Sequence, residues 1–255
     1  AYREATLKAV AKYVRDLGGN APDMTDEQAM TKYLALDHDK QAIFAYRHYS
    51  SELLASGEAD AALKASGESL AGVVRHKRGD DAVAMLFPRD IEYQGDLTLF
   101  DSKINTLRDG SIDILVPGGM VNVGIPGRAV RAGNGIVTEN GGEIRAFAET
   151  NFQVNQSRVV TQFANDMTIW VNNGNIDAGK GSRSAVAVPE QEIFTDAWGN
   201  MTRRMKGASA GSGIQVQSYD PDGPSGPLEA PSLENVTTAL ITPRGTLDAG
   251  EAGIA

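Results

Sequence analysis

The sequence predicts a mainly β protein: a right-handed parallel β-helix, or β-solenoid, preceded by an α-helical lobe. Three observations carry that expectation. Residues 1–92 space their apolar side chains three and four apart, as helices do. Over residues 93–255, short β-branched alternations sit between Gly, Asn, Asp and Pro turns. Within that second part, "SIDILVPGGMVNVG" (Ser111–Gly124), "DMTIWVNNGNIDAG" (Asp166–Gly179) and "TTALITPRGTLDAG" (Thr237–Gly250) align without a gap. Strands this short cannot bury a core alone, whereas stacked coils bury the inward set of each rung against the next.

Bulk properties narrow the function. The 255 residues suffice for one large domain or two modest ones, and 41% hydrophobic residues mark a chain that folds. Thirty-three acids against 24 bases give a formal charge of −9, which repels phosphate backbones, so no nucleic-acid partner is expected. The chain has no cysteine, which excludes disulfides and thiolate metal sites. No apolar run approaches the roughly 18 residues of a membrane span, and no basic-apolar signal segment opens the chain. An initial Ala1 and a pattern still running at Ala255 read as a piece of something longer.

In the helical lobe, Leu7, Val10, Val14 and Leu17 mark the first helix, with Gly18-Gly19 as its stop. "TDEQ" (Thr25–Gln28) fits a capping box that starts a second helix burying Met30, Tyr33 and Leu34. A third helix is expected near Asp39–Leu54, carrying Ile43, Phe44, Leu53 and Leu54. An alanine-rich region, Glu58–Val74, is broken by Gly67, and a short helix over Asp80–Leu86 stops before Pro88.

In the repeats, the first strand points Ile112/Ile114/Val116, Met167/Ile169/Val171 and Thr238/Leu240/Thr242 inward. A corner glycine follows (Gly119, Gly174, Gly245), where positive φ is expected. The second strand points Val121/Val123, Ile176/Ala178 and Leu247/Ala249 inward. Asn122, Asp177 and Asp248 share one outward register, where short polar side chains bond nearby backbone. Gly142–Gln156 is a looser copy with one extra corner residue, and Gly95–Leu107 is looser still. An antiparallel sandwich with repeated Asn-Gly turns is the alternative architecture.

"GDLTLFDSKINTLRDGSIDILVPGGMVNVG", "FQVNQSRVVT", "MTIWVNNGNIDAGKGSRSAVAVP" and "ITPRGTLDAGEAGI" resemble the conserved-domain region of filamentous haemagglutinin-family exoproteins, very large adhesins of Gram-negative bacteria. The resemblance covers most of Tyr93–Ala255 and reaches weakly into the helical half. It implies a secreted or surface-attached fibre, exported unfolded by an outer-membrane two-partner transporter, which a cysteine-free chain suits. It brings no catalytic residues with it. Ser182–Ser232 departs from the pattern.

Candidate chemistry is sparse. "GASAG" (Gly207–Gly211) has the G-x-S-x-G form, but no histidine follows His76, so a surface loop is the preferred reading. "DPDGPSGPLEAP" (Asp220–Pro231) has Ser225 and Pro231 where a calcium loop needs glycine and glutamate. Arg78-Gly79-Asp80 falls between two expected helices, where a loop could present it to a partner; equally, Gly79 ends one helix and Asp80 caps the next. His38 and His48 lack the spacing of a helical metal pair and read as partly exposed histidines, and Asp37/Asp39 and Asp80-Asp81 as helix N-terminal charge. Within an excursion at about 182–234, Val188–Gly207 reads as a projecting hairpin whose tip carries Trp198, either an exposed aromatic for a sugar or protein partner or part of a lid.

These observations favour a non-enzymatic adhesin segment with no cofactor, whose partner is a host-cell or matrix glycan or protein. The runner-up is a β-helix polysaccharide lyase or hydrolase. A polar register repeated on every coil favours architecture over one reactive coil.

Overall fold

The computed structural model describes residues 2–17, 24–69, 71–107, 110–127, 134–180, 191–195, 201–205, 211–218 and 231–255. The chain divides into two compact units, Ala1–Ile91 and Glu92–Ala255.

The first unit contains α1 (Tyr2–Leu17), α2 (Asp26–Leu34), α3 (His38–Ala65) and α4 (Lys77–Leu86). The capping box forms: the Gln28 amide donates to Thr25 Oγ1 at 3.3 Å, and the Thr25 amide donates to Gln28 Oε1 at 3.0 Å. Val10, Val14, Ala29, Tyr13, Tyr33 and Phe44 form a small core in which the three rings meet at centroid distances of 5.2–6.5 Å. Leu34 falls outside it, 67% exposed, because Ala29 and Tyr33 take the buried face of α2. Ile43 is likewise exposed beside buried Phe44. The third and fourth helical regions merge into one 28-residue helix running through Gly57, a residue tolerated when flanking turns are well packed. It ends at Ala65, with Ser66 as its C-cap and Gly67 following at φ +69°. The Gly18-Gly19 stop lies outside the described residues.

The second unit is a stack of parallel coils with three sides. The first coil holds β1 (Leu97–Thr98), β2 (Lys103–Thr106) and β3 (Ile112–Val116). The second holds β4 (Val121–Asn122), β5 (Gly135–Thr138) and β6 (Ile144–Ala148), and the third β7 (Phe152–Gln153), β8 (Arg158–Thr161) and β9 (Met167–Val171). The fourth begins with β10 (Ile176–Asp177). An antiparallel hairpin, β11 (Gln191–Thr195) with β12 (Met201–Met205), intervenes before β13 (Gly213–Val216) and β14 (Thr238–Ile241). A fifth coil opens with β15 (Leu247–Asp248). The sides are the sheets β1-β4-β7-β10-β15, β2-β5-β8-β13 and β3-β6-β9-β14, every pairing within them parallel. This is a solenoid arrangement, neither a closed barrel nor an antiparallel sandwich. Apart from one isolated antiparallel bridge, the hairpin holds the antiparallel pairing among the described residues.

The register is the one the repeats predict. Ile112 pairs with Ile144, Ile144 with Met167 and Met167 with Thr238; Val121, Phe152, Ile176 and Leu247 align on the next side. The inward residues join one core that includes Ile114, Val116, Ile136, Ala146, Val159, Ile169, Val171 and Ile214. Fully burying such a side chain stabilises by roughly 1.5–3 kcal/mol.

Two expectations need correcting. Gly95–Leu107 is out of phase with the other copies: Leu97 pairs with Val121, so this stretch forms the second and third strands of the pattern. The corner glycines Gly119, Gly174 and Gly245 do not sit at positive φ. They are needed because coils approach closely there; a Cβ on Gly174 would occupy the Thr150 carbonyl, and one on Gly245 the Gly174 carbonyl. Left-handed geometry falls instead after the second strand, at Asn155 (φ 57°), Gly179 (φ 92°) and Gly250 (φ 57°).

Candidate functional site

Among the described residues, the outward registers of the coils bring polar side chains into alignment. Asn122, Gln153, Asp177 and Asp248 stack in register along the first side. Asp177 Oδ1 accepts from the Gly179 amide and Asp248 Oδ1 from the Gly250 amide, each at 2.8 Å, while Asn122 Oδ1 accepts from Asn155 Nδ2 at 2.7 Å. The Asp177 and Asp248 bonds satisfy backbone at the left-handed turns, as the sequence predicts, whereas Asn122 bonds the side chain of the left-handed Asn155 instead.

One polar column escaped sequence reasoning. At the corner before the first side, each side-chain oxygen accepts from the amide of the next coil. Asp96 accepts from Met120 at 2.8 Å, Asn151 from Asn175 at 3.0 Å and Asn175 from Thr246 at 2.8 Å. The strands break there, and the side chains carry the coil-to-coil ladder across the gap. The available signal was an Asp or Asn directly before the inward residue, as in Asp96-Leu97, Asn151-Phe152 and Asn175-Ile176.

The third side links coils by charge. Arg145 grips Asp113 bidentately at 2.7 and 2.8 Å, and Asn172 donates to Glu149 at 3.0 and 3.2 Å. Further along the same walls, outward residues are buried as fully as inward ones: Phe147, Val160 and Trp170 have essentially no exposed surface.

In the helical unit, Arg78-Gly79-Asp80 does not lie between helices. His76 takes the left-handed conformation (φ 55°), so α4 starts at Lys77 and the tripeptide forms its first turn. Arg78 is held by Glu52 of α3, Nε to Oε2 at 2.6 Å and Nη2 to Oε1 at 3.1 Å, and Gly79 is buried. Asp80 supplies first-turn acid rather than a cap. Trp198, Asp220–Ala230 and Gly207–Ala210 lie outside the described residues; the antiparallel pairing on either side of residues 196–200 agrees with the expected hairpin.

A buried ionic cluster also went unpredicted. The Asp60 side chain, 5% exposed, is held by Arg75 (Nε to Oδ1 2.5 Å, Nη2 to Oδ2 2.8 Å), by Lys64 at 2.9 Å and by His76 Nε2 at 3.3 Å. The Arg75 hydrogen bonds, aided by Lys64 and His76 and opposed by burial, hold the Asp60 carboxyl well below the usual carboxylate range. Burial pushes His76 down, with Asp60 opposing. Burial, then the neighbouring Tyr13, pushes the Tyr33 hydroxyl up to about 12. Burial also lowers His48, whose ring lies 4.3 Å from that of Phe44. Asp60 could not be read from sequence because α3 was expected to end before it.

Among the described residues no group of three or more His, Asp or Glu side chains is placed to hold a metal, and no helix is long and apolar enough to cross a membrane. What the geometry offers is a stack of repeated coils whose outward polar groups join one coil to the next. Residues 164–255 match the model of a family described as filamentous haemagglutinin family outer membrane protein. No curated protein and no solved structure matches the chain. The matched segment spans β9 to β15, so it contains two of the three gap-free repeats, and β1 to β8 continue the same coils below it. The family description points to outer-membrane or surface association.

Proposed function

We propose that this chain is a non-enzymatic segment of a large secreted or surface-attached bacterial adhesin. Its solenoid, right-handed in this reading, supplies reach, rigidity and display for attachment to a host-cell or matrix glycan or protein. The observation that carries the reading is the employment of the outward polar residues. Asp177 and Asp248 each bond the amide two residues on, Asn151 and Asn175 each bond an amide of the next coil, and Asn122 bonds the side chain of Asn155 on the next coil. Such a pattern serves length rather than one reactive coil. Each coil adds about 4.8 Å along the stack, and pairing on three sides leaves no single-strand hinge. The family match over residues 164–255 supports a surface or secreted location, and export through an outer-membrane two-partner transporter belongs to the same reading.

A glycan and matrix-protein array probed with the whole chain tests it. Saturable binding to a subset of glycans or matrix proteins is the expected result, and a blank array sinks the attachment role. Incubation with acidic polysaccharides should release no unsaturated oligosaccharide at any calcium level. Release abolished by a single acid-to-alanine change on an outward register would replace the adhesin with a lyase.

A further inference from the structure

We propose that Arg158, on the outer face of the second side, binds one carboxylate or sulfate group of a ligand from outside the fold, the chemistry that acidic sugars present. Arg158 opens β8 and points outward, since the next residue, Val159, belongs to the coil core. Only 8% of its surface is accessible. Even so, the guanidinium has no hydrogen bond or ion pair with any described residue, and its Nε is buried without an acceptor. Burial alone pushes its pKa down, with no acid opposing.

Other arginines in the molecule behave differently. Arg15, Arg75, Arg78 and Arg145 keep about a third of their side chains exposed, and each grips a carboxylate: Asp26, Asp60, Glu52 and Asp113 respectively. The most buried arginine of the five is thus the one with no acid. An unpaired buried charge is among the most costly features a fold can retain, and an apolar side chain of similar length would fill the space without it.

The coil stack also makes room for this side chain. Arg158 is in register with Gly135 on the coil below and Gly213 on the coil above, both at positive φ. A Cβ on Gly135 would come within 2.7 Å of Arg158 Cγ, so the stem lies over that glycine. A guanidinium suits a planar oxyanion because two parallel N–H bonds reach both oxygens, and low local dielectric strengthens them.

The test uses the whole chain, Arg158→Met and Arg158→Lys, titrated calorimetrically at fixed ionic strength with glucuronate, sulfate ion, a sulfated glycosaminoglycan oligosaccharide and glucose. Wild type is expected to bind at least one anionic probe and not glucose. Arg158→Met should weaken that binding about tenfold to a hundredfold, the range of a charge-assisted pair, with Arg158→Lys in between. Arg158→Met should also match or exceed wild type in melting temperature without anion, and lose the anion-dependent rise. A shift of the Arg158 Nε–H resonance on titrating wild type supplies the same answer without a variant.

Binding of free ions alone marks a small-anion site, and binding of the oligosaccharide marks a glycan site; either supports the assignment. Equal affinities in wild type and Arg158→Met overturn it, as does an Arg158→Met protein that melts lower and ignores anions. The assignment stands apart from the attachment reading. A blank array beside Arg158-dependent glucuronate binding removes only attachment, while array binding that survives Arg158→Met removes only this site.

Discussion

The helical unit and the coil stack solve the same problem with different chemistry. In the helical unit the specificity lies in side-chain ends: three rings packed edge to face, and carboxylates at Asp60 and Glu52 that tie α3 to Arg75, His76 and Arg78. Apolar surface is left over, with Leu34 and Val74 both largely exposed. In the coil stack the inward side chains are ordinary aliphatics, and specificity lies in how closely backbone approaches backbone. Positions without a side chain therefore matter most in one unit, and long charged side chains in the other.

The sharpest break of that comparison is Gly174→Ala against Gly95→Ala. Gly174 has an unremarkable φ but no space, whereas Gly95 has φ 111° and nothing within 4 Å of an added Cβ. Gly174→Ala should cost at least about 3 kcal/mol, since carbonyl Thr150 must move and take its coil along. Gly95→Ala should cost about 1 kcal/mol of backbone strain. Urea unfolding followed by tryptophan fluorescence reads this unit alone, because Trp170 and Trp198 both lie in it. Equal midpoints would return the corner to a matter of dihedral angle.

In the helical unit the corresponding break is Asp60→Asn. It leaves Arg75 and Lys64 facing an amide, and should cost roughly 2–3 kcal/mol by helix signal at 222 nm, with the tryptophan signal unchanged. The pH dependence has a definite sign. Asp60 and His76 both have folded pKa values below their unfolded ones. Protons therefore bind the unfolded chain more readily, and stability falls with pH: gently below about 6.5 as unfolded His76 charges, steeply below about 4 as unfolded Asp60 protonates. In Asp60→Asn the steep part should shrink. A helical unit whose stability rises on acidification would contradict the cluster's geometry.

How much of this was legible follows the same division. The coil register could be read to the residue, since Ile112, Met167 and Thr238 repeat in a pattern whose period the stacking imposes. The looser copy at Ile144 was legible too, because its inward set survives one inserted residue. Gly95–Leu107 was misphased because alternation alone does not say which side of a three-sided coil a strand occupies. The corner glycines were found for the wrong reason: sequence signals that glycine is required, not whether φ or crowding requires it. In the helical unit the Thr25–Gln28 capping box was legible, whereas the start of α4 and the tertiary ties were not. Arg78 meets Glu52 across 26 positions, and that meeting depends on α4 starting at Lys77 after a left-handed histidine, a conformation uncommon outside glycine.

The smallest effects should come from the polar columns, graded by what each oxygen serves. Asn175→Ala removes the acceptor for the Thr246 amide where no strand partner can replace it, and should cost about 1–2 kcal/mol. Asp177→Ala removes a bond to the Gly179 amide two residues on, within its own coil, and should cost about 0.5–1 kcal/mol. Asp248→Ala makes the same loss at a more exposed level and should cost less again. Urea midpoints in that order indicate that coil-to-coil bonds outweigh local ones. An Asp177→Ala as costly as Asn175→Ala would mean that the turns, rather than the ladder across the corner, hold successive coils in register.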